Sequence, residues 1–145
     1  MPEMKSGRSP EGKTGVTLLI VDDDNQIGCS LVALFQRLGF NATTVSNGQS
    51  ALNHLLKHTV HIVITDIFMP ECDGLELLRM LRKINPRPRV VAMTGAEHAA
   101  MPDLLRLARQ LGADRTIRKP FQPEAMLQLV EEMLGEPLPR ERTCV

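Results

Sequence analysis

The chain alternates between short runs of apolar, β-branched residues and longer segments whose apolar residues recur at helical spacing. The predicted strands are residues 16–21, 42–45, 62–65, 90–93 and 115–118. Helical segments between strands act as crossovers, which join parallel strands and cover both faces of the sheet. The alternation therefore predicts an α/β fold in which helices wind doubly around a five-stranded parallel sheet.

Each helical segment carries one apolar stripe that can pack against such a sheet. The predicted helices are residues 27–38, 48–57, 75–84, 102–111 and 123–134. Gly39 and Gly112 follow the first and fourth helices, where a glycine can end a helix in the left-handed conformation. Pro102 and Pro123 suit the first turns of the fourth and fifth helices. One helix thus follows each predicted strand.

Length and composition indicate the domain organisation and the class of partner. The 145 residues correspond to about one domain. We place it at residues 16–134, between a flexible N-terminal tail (1–15) and a C-terminal tail (135–145). The formal net charge is zero, which favours neither nucleic acid nor an anionic membrane. No apolar run reaches the roughly 20 residues of a membrane span, and the N-terminus lacks a signal-peptide core. We therefore expect a cytoplasmic protein.

The spacing of cysteines and histidines argues against a disulfide framework and against a metal site built from these residues. Cys29, Cys72 and Cys144 are odd in number and show no CxxC spacing. His54 and His58 are four residues apart on a predicted helix, but no third ligand has a useful spacing. The polar face of that helix is a sufficient explanation for both histidines.

Charged residues stand where three of the predicted strands end. Asp22, Asp23 and Asp24 follow the first strand, Asp66 follows the third, and Lys119 follows the fifth. Side chains just beyond the carboxyl ends of neighbouring parallel strands converge on one crevice. Carboxylates from two strands are the hard oxygen ligands that Mg²⁺ binds, and a lysine opposite them can offset a phosphate charge. The pattern predicts one phosphorylation site, although helix capping or a turn explains each aspartate taken alone.

Four motifs occur in order along the chain: LLIVDDD, IVITDIFMPECDGLELL, VVAMTGA and GADRTIRKPF. Together they resemble the receiver domain of bacterial two-component response regulators, of the stand-alone type found in chemotaxis regulators. The resemblance spans residues 16–134. It implies the flavodoxin-like receiver fold, built from five strand-helix units.

The resemblance assigns phosphoryl chemistry to three residues. Asp66 is then the phosphoacceptor, which attacks a phosphoryl group carried on the histidine of a sensor kinase or phosphotransfer protein. Lys119 contacts the phosphoryl group and pairs with Asp66 before phosphorylation, while Thr94 donates its hydroxyl to a phosphoryl oxygen. Such a domain assists its own phosphorylation and dephosphorylation by positioning and charge stabilisation. We expect a signalling domain rather than an enzyme.

The resemblance also implies Mg²⁺ as the cofactor. Asp22 and Asp23 correspond to the acidic pair of the family, and Asp66 and the backbone carbonyl of Phe68 complete the protein ligands. Asp24 is expected to start the first helix. Haloacid-dehalogenase-like phosphatases also use an aspartyl phosphate and magnesium, but they need a second aspartate two residues after the nucleophile. Phe68 occupies that position here, which argues against a hydrolase.

The short C-terminal segment GEPLPRERTCV predicts a stand-alone receiver. Such a protein signals to a downstream protein target by a phosphorylation-driven conformational change, or passes its phosphate on in a relay. The alternatives to a stand-alone receiver are a fragment of a longer regulator and a phosphorylation-independent docking module. Phosphorylation could also produce a dimer. Thr116 occupies the position of an aromatic residue that changes rotamer in many receivers. We therefore expect residues 95–103 to move instead.

Overall fold

One parallel sheet of five strands forms the centre of the fold in this computed structural model, which describes residues 15–68, 74–95 and 102–135. The strands are β1 (Thr17–Val21), β2 (Asn41–Val45), β3 (Ile62–Asp66), β4 (Arg89–Thr94) and β5 (Arg115–Arg118). Their order in the sheet is β2-β1-β3-β4-β5, and every neighbouring pair is parallel. The α/β fold class and the five-stranded parallel sheet are therefore confirmed.

Helices cover both faces of this sheet. They are α1 (Asn25–Arg37), α2 (Gly48–Lys57), α3 (Gly74–Leu81), α4 (Pro102–Gln110) and α5 (Pro123–Gly135). α1 and α5 pack on one face, and α2, α3 and α4 pack on the other. This is the predicted doubly wound, flavodoxin-like arrangement. The third helix ends at Leu81, three residues earlier than predicted, because the amide of Ile84 turns back to the carbonyl of Leu81 at 3.1 Å.

Strand β1 shows how the core positions the charged residues. Leu18 and Ile20 pack toward α1 and α5, whereas Leu19 and Val21 pack toward the opposite layer. All four side chains are completely buried, and each such burial contributes about 1.5–3 kcal/mol. Asp22 follows directly. The packing of β1 therefore determines where the first acidic residue leaves the sheet.

Several predictions from the sequence concern residues that the structure does not describe. Residues 1–14 of the predicted N-terminal tail, residues 136–145 of the predicted C-terminal tail and residues 96–101 lie outside the described residues, as do Cys72 and Cys144. Cys29 is a free thiol exposed on α1. Among the described residues, no helix is both long enough and apolar enough to cross a membrane.

Helix α1 approaches β2 closely at Gly28, which is buried. A Cβ atom added at Gly28 would lie 2.5 Å from the hydroxyl oxygen of Thr44. That hydroxyl already donates a hydrogen bond of 3.1 Å to the carbonyl of Ile20, and the β-branched side chain has little rotamer freedom. Glycine at this position therefore allows α1 to pack closely against β2, the edge strand of the sheet.

We predict that Gly28→Ala lowers the free energy of unfolding by about 1–3 kcal/mol, the usual cost of overpacking. The new methyl group would press on the Thr44 hydroxyl, although alanine otherwise favours a helix by about 1 kcal/mol. In a Thr44→Ala background the hydroxyl is gone, and the same substitution should be neutral or stabilising. Urea denaturation followed by circular dichroism measures both effects. Equal losses in the two backgrounds would show that this contact is not the cause.

Candidate functional site

Three carboxylates meet at the carboxyl edge of the central strands. Asp22 and Asp23 follow β1, and Asp66 is the last residue of β3, the strand that pairs with β1. Ligand oxygens of the three lie within 4.8 Å of one another. Asp22 and Asp66 are buried, whereas Asp23 is exposed. The structure thus brings together the three aspartates that the sequence suggested as one cluster.

Backbone amides orient two of these carboxylates. The amide of Asp24 donates to Oδ1 of Asp22 at 2.9 Å, and the amide of Phe68 donates to Oδ1 of Asp66 at 3.2 Å. Asp24 itself caps α1, because its carboxylate accepts from the amide of Gln26 at 3.0 Å. The expectation that Asp24 starts the first helix is therefore correct.

Lys119 bridges the two buried carboxylates. Its Nζ lies 2.8 Å from Oδ2 of Asp22 and 3.1 Å from Oδ2 of Asp66. The pairing with Asp66 was expected, whereas the shorter contact with Asp22 was not. The backbone amide of Lys119 donates to the carbonyl of Thr94 at 2.7 Å, and the Lys119-Pro120 peptide bond is cis. Thr94 is buried at the end of β4.

Burial dominates the ionisation of Asp66. It raises the pKa of the Asp66 carboxyl, and the Lys119 ammonium opposes this effect without overcoming it. Burial acts against the charged form of Lys119 as well, but the hydrogen bond to Asp22 and the charge of Asp66 outweigh it, so the pKa of Lys119 is raised. Lys119 shares its charge with Asp22 at the shorter distance, so it offsets the burial of Asp66 only in part.

The cluster forms the floor of an open cleft of about 760 Å³. Ile27, Phe68 and Phe121 contribute apolar lining beside the carboxylates. Phe68 is 37% exposed. A charged group at the floor can therefore be reached from solvent, while the apolar lining limits the water around it.

The family model of the response regulator receiver domain matches residues 18–131. The chain belongs to this family. This receiver domain is 31% identical over 117 residues to the response regulator receiver protein CpdR of Brucella abortus, covering 81% of this chain and 95% of CpdR. It is 33% identical over 119 residues to the probable transcriptional regulator ycf27 of Cyanidium caldarium, covering 81% of this chain and 45% of that protein. The chain spans less than half the length of several curated relatives that it matches.

Solved structures show the same fold. The CheY-like receiver domain protein of Methanospirillum hungatei superposes with a TM-score of 0.76 at 27% identity, covering 83% of this chain and 94% of that one. The chemotaxis response regulator CheY4 of Vibrio cholerae gives a TM-score of 0.74 at 25% identity, covering 82% and 98%. Receiver domains act generally as phosphoacceptors in signalling rather than as catalytic enzymes, and they interact with histidine kinases or phosphotransfer proteins. The resemblance predicted from the four motifs is confirmed.

The acidic cluster of this receiver domain suits a divalent cation. Its three carboxylates are hard oxygen donors, and their oxygens lie within 4.8 Å of one another. Mg²⁺ binds oxygen at about 2.0–2.1 Å and commonly keeps several waters, so one ion fits between such donors after small rotations. The exposed Asp23 leaves a side open to water and phosphate oxygens. The donor set therefore fits Mg²⁺, and the carbonyl of Phe68 stays a predicted further ligand.

The structural role of Gly74 was not identified from the sequence. Gly74 is the first residue of α3, and its amide donates to the carbonyl of Ile67 at 2.7 Å. A Cβ atom there would lie 2.2 Å from the carbonyl oxygen of Asp66 and 2.6 Å from the Cα of Ile67. Those atoms belong to the backbone and cannot rotate away. Helix α3 can therefore begin directly behind Asp66 only if residue 74 lacks a side chain.

Two other features of the receiver domain were uncertain from sequence. Thr116 on β5 is half-buried, and its hydroxyl accepts a hydrogen bond of 3.2 Å from Arg109 on α4. The rings of His54 and His58 stack with centroids 4.4 Å apart, and burial together with His58 lowers the pKa of His54. Within the described ranges, neither histidine belongs to a group of three metal-ligating side chains. His54 is half-buried on α2, and His58 is exposed at the end of that helix.

We predict that Gly74→Ala lowers the free energy of unfolding by about 1–3 kcal/mol, because its methyl group must displace the backbone at Asp66 and Ile67. The shift should also weaken Mg²⁺ affinity, measured by titration of backbone amide resonances. Gly135→Ala in α5 is the matched control, since nothing lies within 4 Å of its added Cβ. Similar stability and Mg²⁺ affinity in the two variants would contradict the proposed crowding at Asp66.

We predict that Asp66→Asn is more stable than the unaltered chain at neutral pH in a chelating buffer. A carboxyl whose pKa is higher in the folded than in the unfolded chain weakens folding once it ionises. The gain should be about 1 kcal/mol at neutral pH and should be lost as the pH falls toward the ordinary pKa of an aspartate, because the wild-type carboxyl then becomes protonated. Denaturation at several pH values measures it, with the exposed Asp103→Asn as the control. A less stable Asp66→Asn at pH 7 would mean that pairing with Lys119 outweighs burial.

Proposed function

We propose that this chain is a single-domain response regulator that accepts a phosphoryl group on Asp66 in a Mg²⁺-dependent reaction. The donor is the phosphohistidine of a sensor kinase or a phosphotransfer protein. The convergence of Asp22, Asp23, Asp66 and Lys119 at the carboxyl edge of the sheet carries the proposal. It is supported by membership of a family whose members act as phosphoacceptors.

The transfer is an in-line displacement at phosphorus. A carboxylate oxygen of Asp66 forms the new P–O bond while the P–N bond of the phosphohistidine breaks, and the imidazole leaves with the electron pair. The product is an acyl phosphate. The amide of Phe68 and the ammonium of Lys119 hold the two oxygens of the Asp66 carboxylate before transfer. These contacts fix the orientation of the nucleophile and lower the entropic cost of reaching the transition state.

Charge neutralisation is the second contribution of the site. A Mg²⁺ ion held by Asp22, Asp23, Asp66 and the backbone carbonyl of Phe68 would neutralise charge on the phosphoryl oxygens. Lys119 supplies a second positive charge, and we assign the hydroxyl of Thr94 as a donor to a phosphoryl oxygen. The raised pKa of Lys119 keeps its ammonium charged at neutral pH. Asp66, Thr94 and Lys119 are thus the proposed reacting and stabilising residues.

Output through the α4–β5 region is supported by contacts that begin at the site. The amide of Lys119 binds the carbonyl of Thr94, and Thr94 pairs with Arg118 in the sheet. Thr116 on the same strand binds Arg109 of α4. We propose that phosphorylation moves Thr94 and thereby α4, which changes affinity for a downstream protein target or allows onward transfer in a relay. A phosphorylation-dependent dimer is compatible with the same change.

The stand-alone architecture is part of the proposal, with the domain at residues 16–134 and tails on either side. It is supported by CpdR, of which the chain covers 95%. Relatives such as ycf27, of which it covers 45%, support the alternative of a larger regulator. We further propose that the protein is cytoplasmic and acts through protein partners rather than through direct contact with nucleic acid or membrane.

We predict that incubation with phosphoramidate and Mg²⁺ adds a single phosphate to the wild-type chain, detected by intact mass. Asp66→Asn should give no adduct, because it lacks the nucleophile, and Lys119→Met and Thr94→Ala should slow the reaction at least about tenfold. Asp103→Asn should behave as wild type, because this carboxylate is highly exposed and pairs with Arg106 rather than with the cluster.

Chelation of Mg²⁺ before the phosphodonor is added should prevent the adduct from forming, because the three carboxylates then repel the incoming phosphoryl group. An adduct that persists on Asp66→Asn would place the acceptor elsewhere. If the wild-type chain also remains unmodified with a competent histidine kinase, a phosphorylation-independent docking module becomes the better description.

A further inference from the structure

A second charged region lies away from the phosphorylation site, on the last turns of α2 and α3. The α2–α3 surface consists of six exposed side chains: Leu56, Lys57, Arg79, Met80, Arg82 and Lys83. Residues 48–58 contain no Asp or Glu, and Glu76 is the one acidic residue in 74–89. A chain with zero net charge has therefore concentrated positive charge on one region.

The fold places these residues at the same end of the sheet, where its strands begin. α2 and α3 are neighbours on one face, and each runs from the carboxyl end of one strand back to the start of the next. Their last turns therefore lie at the edge where the strands begin, and Asp66 lies at the other edge. The five residues of β3 span about 16 Å between the two edges.

No ion pair within the described residues neutralises the cations of this surface, whereas several other cations of the described structure are paired with carboxylates. Arg87 pairs with Asp114 and Lys119 pairs with Asp22 and Asp66. In residues 15–68, 74–95 and 102–135, by contrast, no carboxylate lies within ion-pair distance of Arg79, Arg82 or Lys83. Neighbouring like charges repel one another, so a bound anionic partner would relieve this repulsion.

Two exposed apolar side chains share the last turns of α2 and α3 with these cations. Leu56 is 84% exposed, the highest value among the exposed large hydrophobic side chains of the described residues, and Met80 is 38% exposed. Leu52 and Leu55 of the same helix face the core, so Leu56 is not needed for packing α2 against the sheet. An exposed apolar residue beside free cations is typical of the centre and rim of a protein interface.

We propose that the α2–α3 surface docks an acidic polypeptide segment that carries an apolar anchor residue. The anchor packs on Leu56 and Met80, and acidic residues on either side pair with Arg79, Arg82 and Lys83. Nucleic acid fits less well, since the surface offers no aromatic ring for base stacking and sits on a chain without net positive charge. Two apolar side chains are also too few to anchor an interfacial helix in a membrane.

This inference goes beyond the proposed phosphorylation. Because the α2–α3 surface and Asp66 lie at opposite edges of the sheet, a docked partner leaves the cleft open to a phosphodonor. We therefore expect docking to be independent of phosphorylation. It would hold the receiver near a partner while the carboxyl edge of the sheet carries out phosphoryl transfer.

The test uses two synthetic acidic peptides and the full chain labelled with ¹⁵N. One peptide places leucines among glutamates at positions i, i+3 and i+4, and the other replaces the leucines with serines. Chemical-shift changes should map to residues 52–58 and 78–84, and the leucine peptide should bind about fivefold more tightly. Arg82→Glu with Lys83→Glu should weaken binding about tenfold or more, and Leu56→Ser should weaken it severalfold.

Matched controls come from the end of α1, on the other face of the sheet. Arg37 and Leu38 are an exposed basic and apolar pair like those of the α2–α3 surface. Arg37→Glu and Leu38→Ser should leave peptide affinity unchanged. Adding Mg²⁺ and beryllium fluoride should also leave it unchanged, so the docking result does not depend on phosphorylation at Asp66.

Several results would overturn the proposal. One is equal affinity for the two peptides, and another is shift changes that map elsewhere. Unchanged binding by the charge-reversed or Leu56→Ser variants would also exclude this surface. Tighter binding of duplex DNA or of phosphatidylglycerol vesicles than of the leucine peptide would assign the surface to a different class of partner.

Discussion

The ion-pair cluster of Lys119 with Asp22 and Asp66 is the interaction on which the site depends. It joins the ends of β1, β3 and β5, strands that are far apart in sequence. The parallel sheet makes this possible because all its strands end at one edge. Without the lysine, two buried carboxylates would face each other at close range, which is costly in a medium of low polarity.

Opposing effects act on the pKa of Asp66 in this cluster. Burial raises the pKa of Asp66, whereas Lys119 and the amide of Phe68 favour its charged form. Lys119 in turn is shared between two carboxylates. A carboxylate that is buried but incompletely neutralised is suited to accept another cation, and the exposed Asp23 provides an open side. The same features that cost stability therefore create a place for a metal ion and a phosphoryl group.

Close backbone contacts supply the rigidity that this arrangement needs. Gly74 lets α3 start against the carbonyl of Asp66, and Gly28 lets α1 lie against β2. Because neither glycine has a side chain, each helix can approach the neighbouring strand more closely than it could with any other residue. The opposite edge of the sheet has different chemistry where α2 and α3 end, because these helix ends carry cations and exposed apolar side chains. The fold thus separates an acidic site from a basic surface in a chain whose net charge is zero.

The sequence by itself determined the fold class, the five strand-helix units and the residues at the strand ends. These follow from local patterns: apolar periodicity, glycine and proline at helix ends, and charged residues after β1, β3 and β5. Helix ends were less certain, and α3 is shorter than its apolar stripe because a turn begins after Leu81. Only the tertiary structure decided that Lys119 binds Asp22 more closely than Asp66, that Gly74 touches Asp66, and that Arg109 binds Thr116. Each of these contacts joins residues from different elements, and their distances depend on how the elements pack, which no local pattern in the chain encodes.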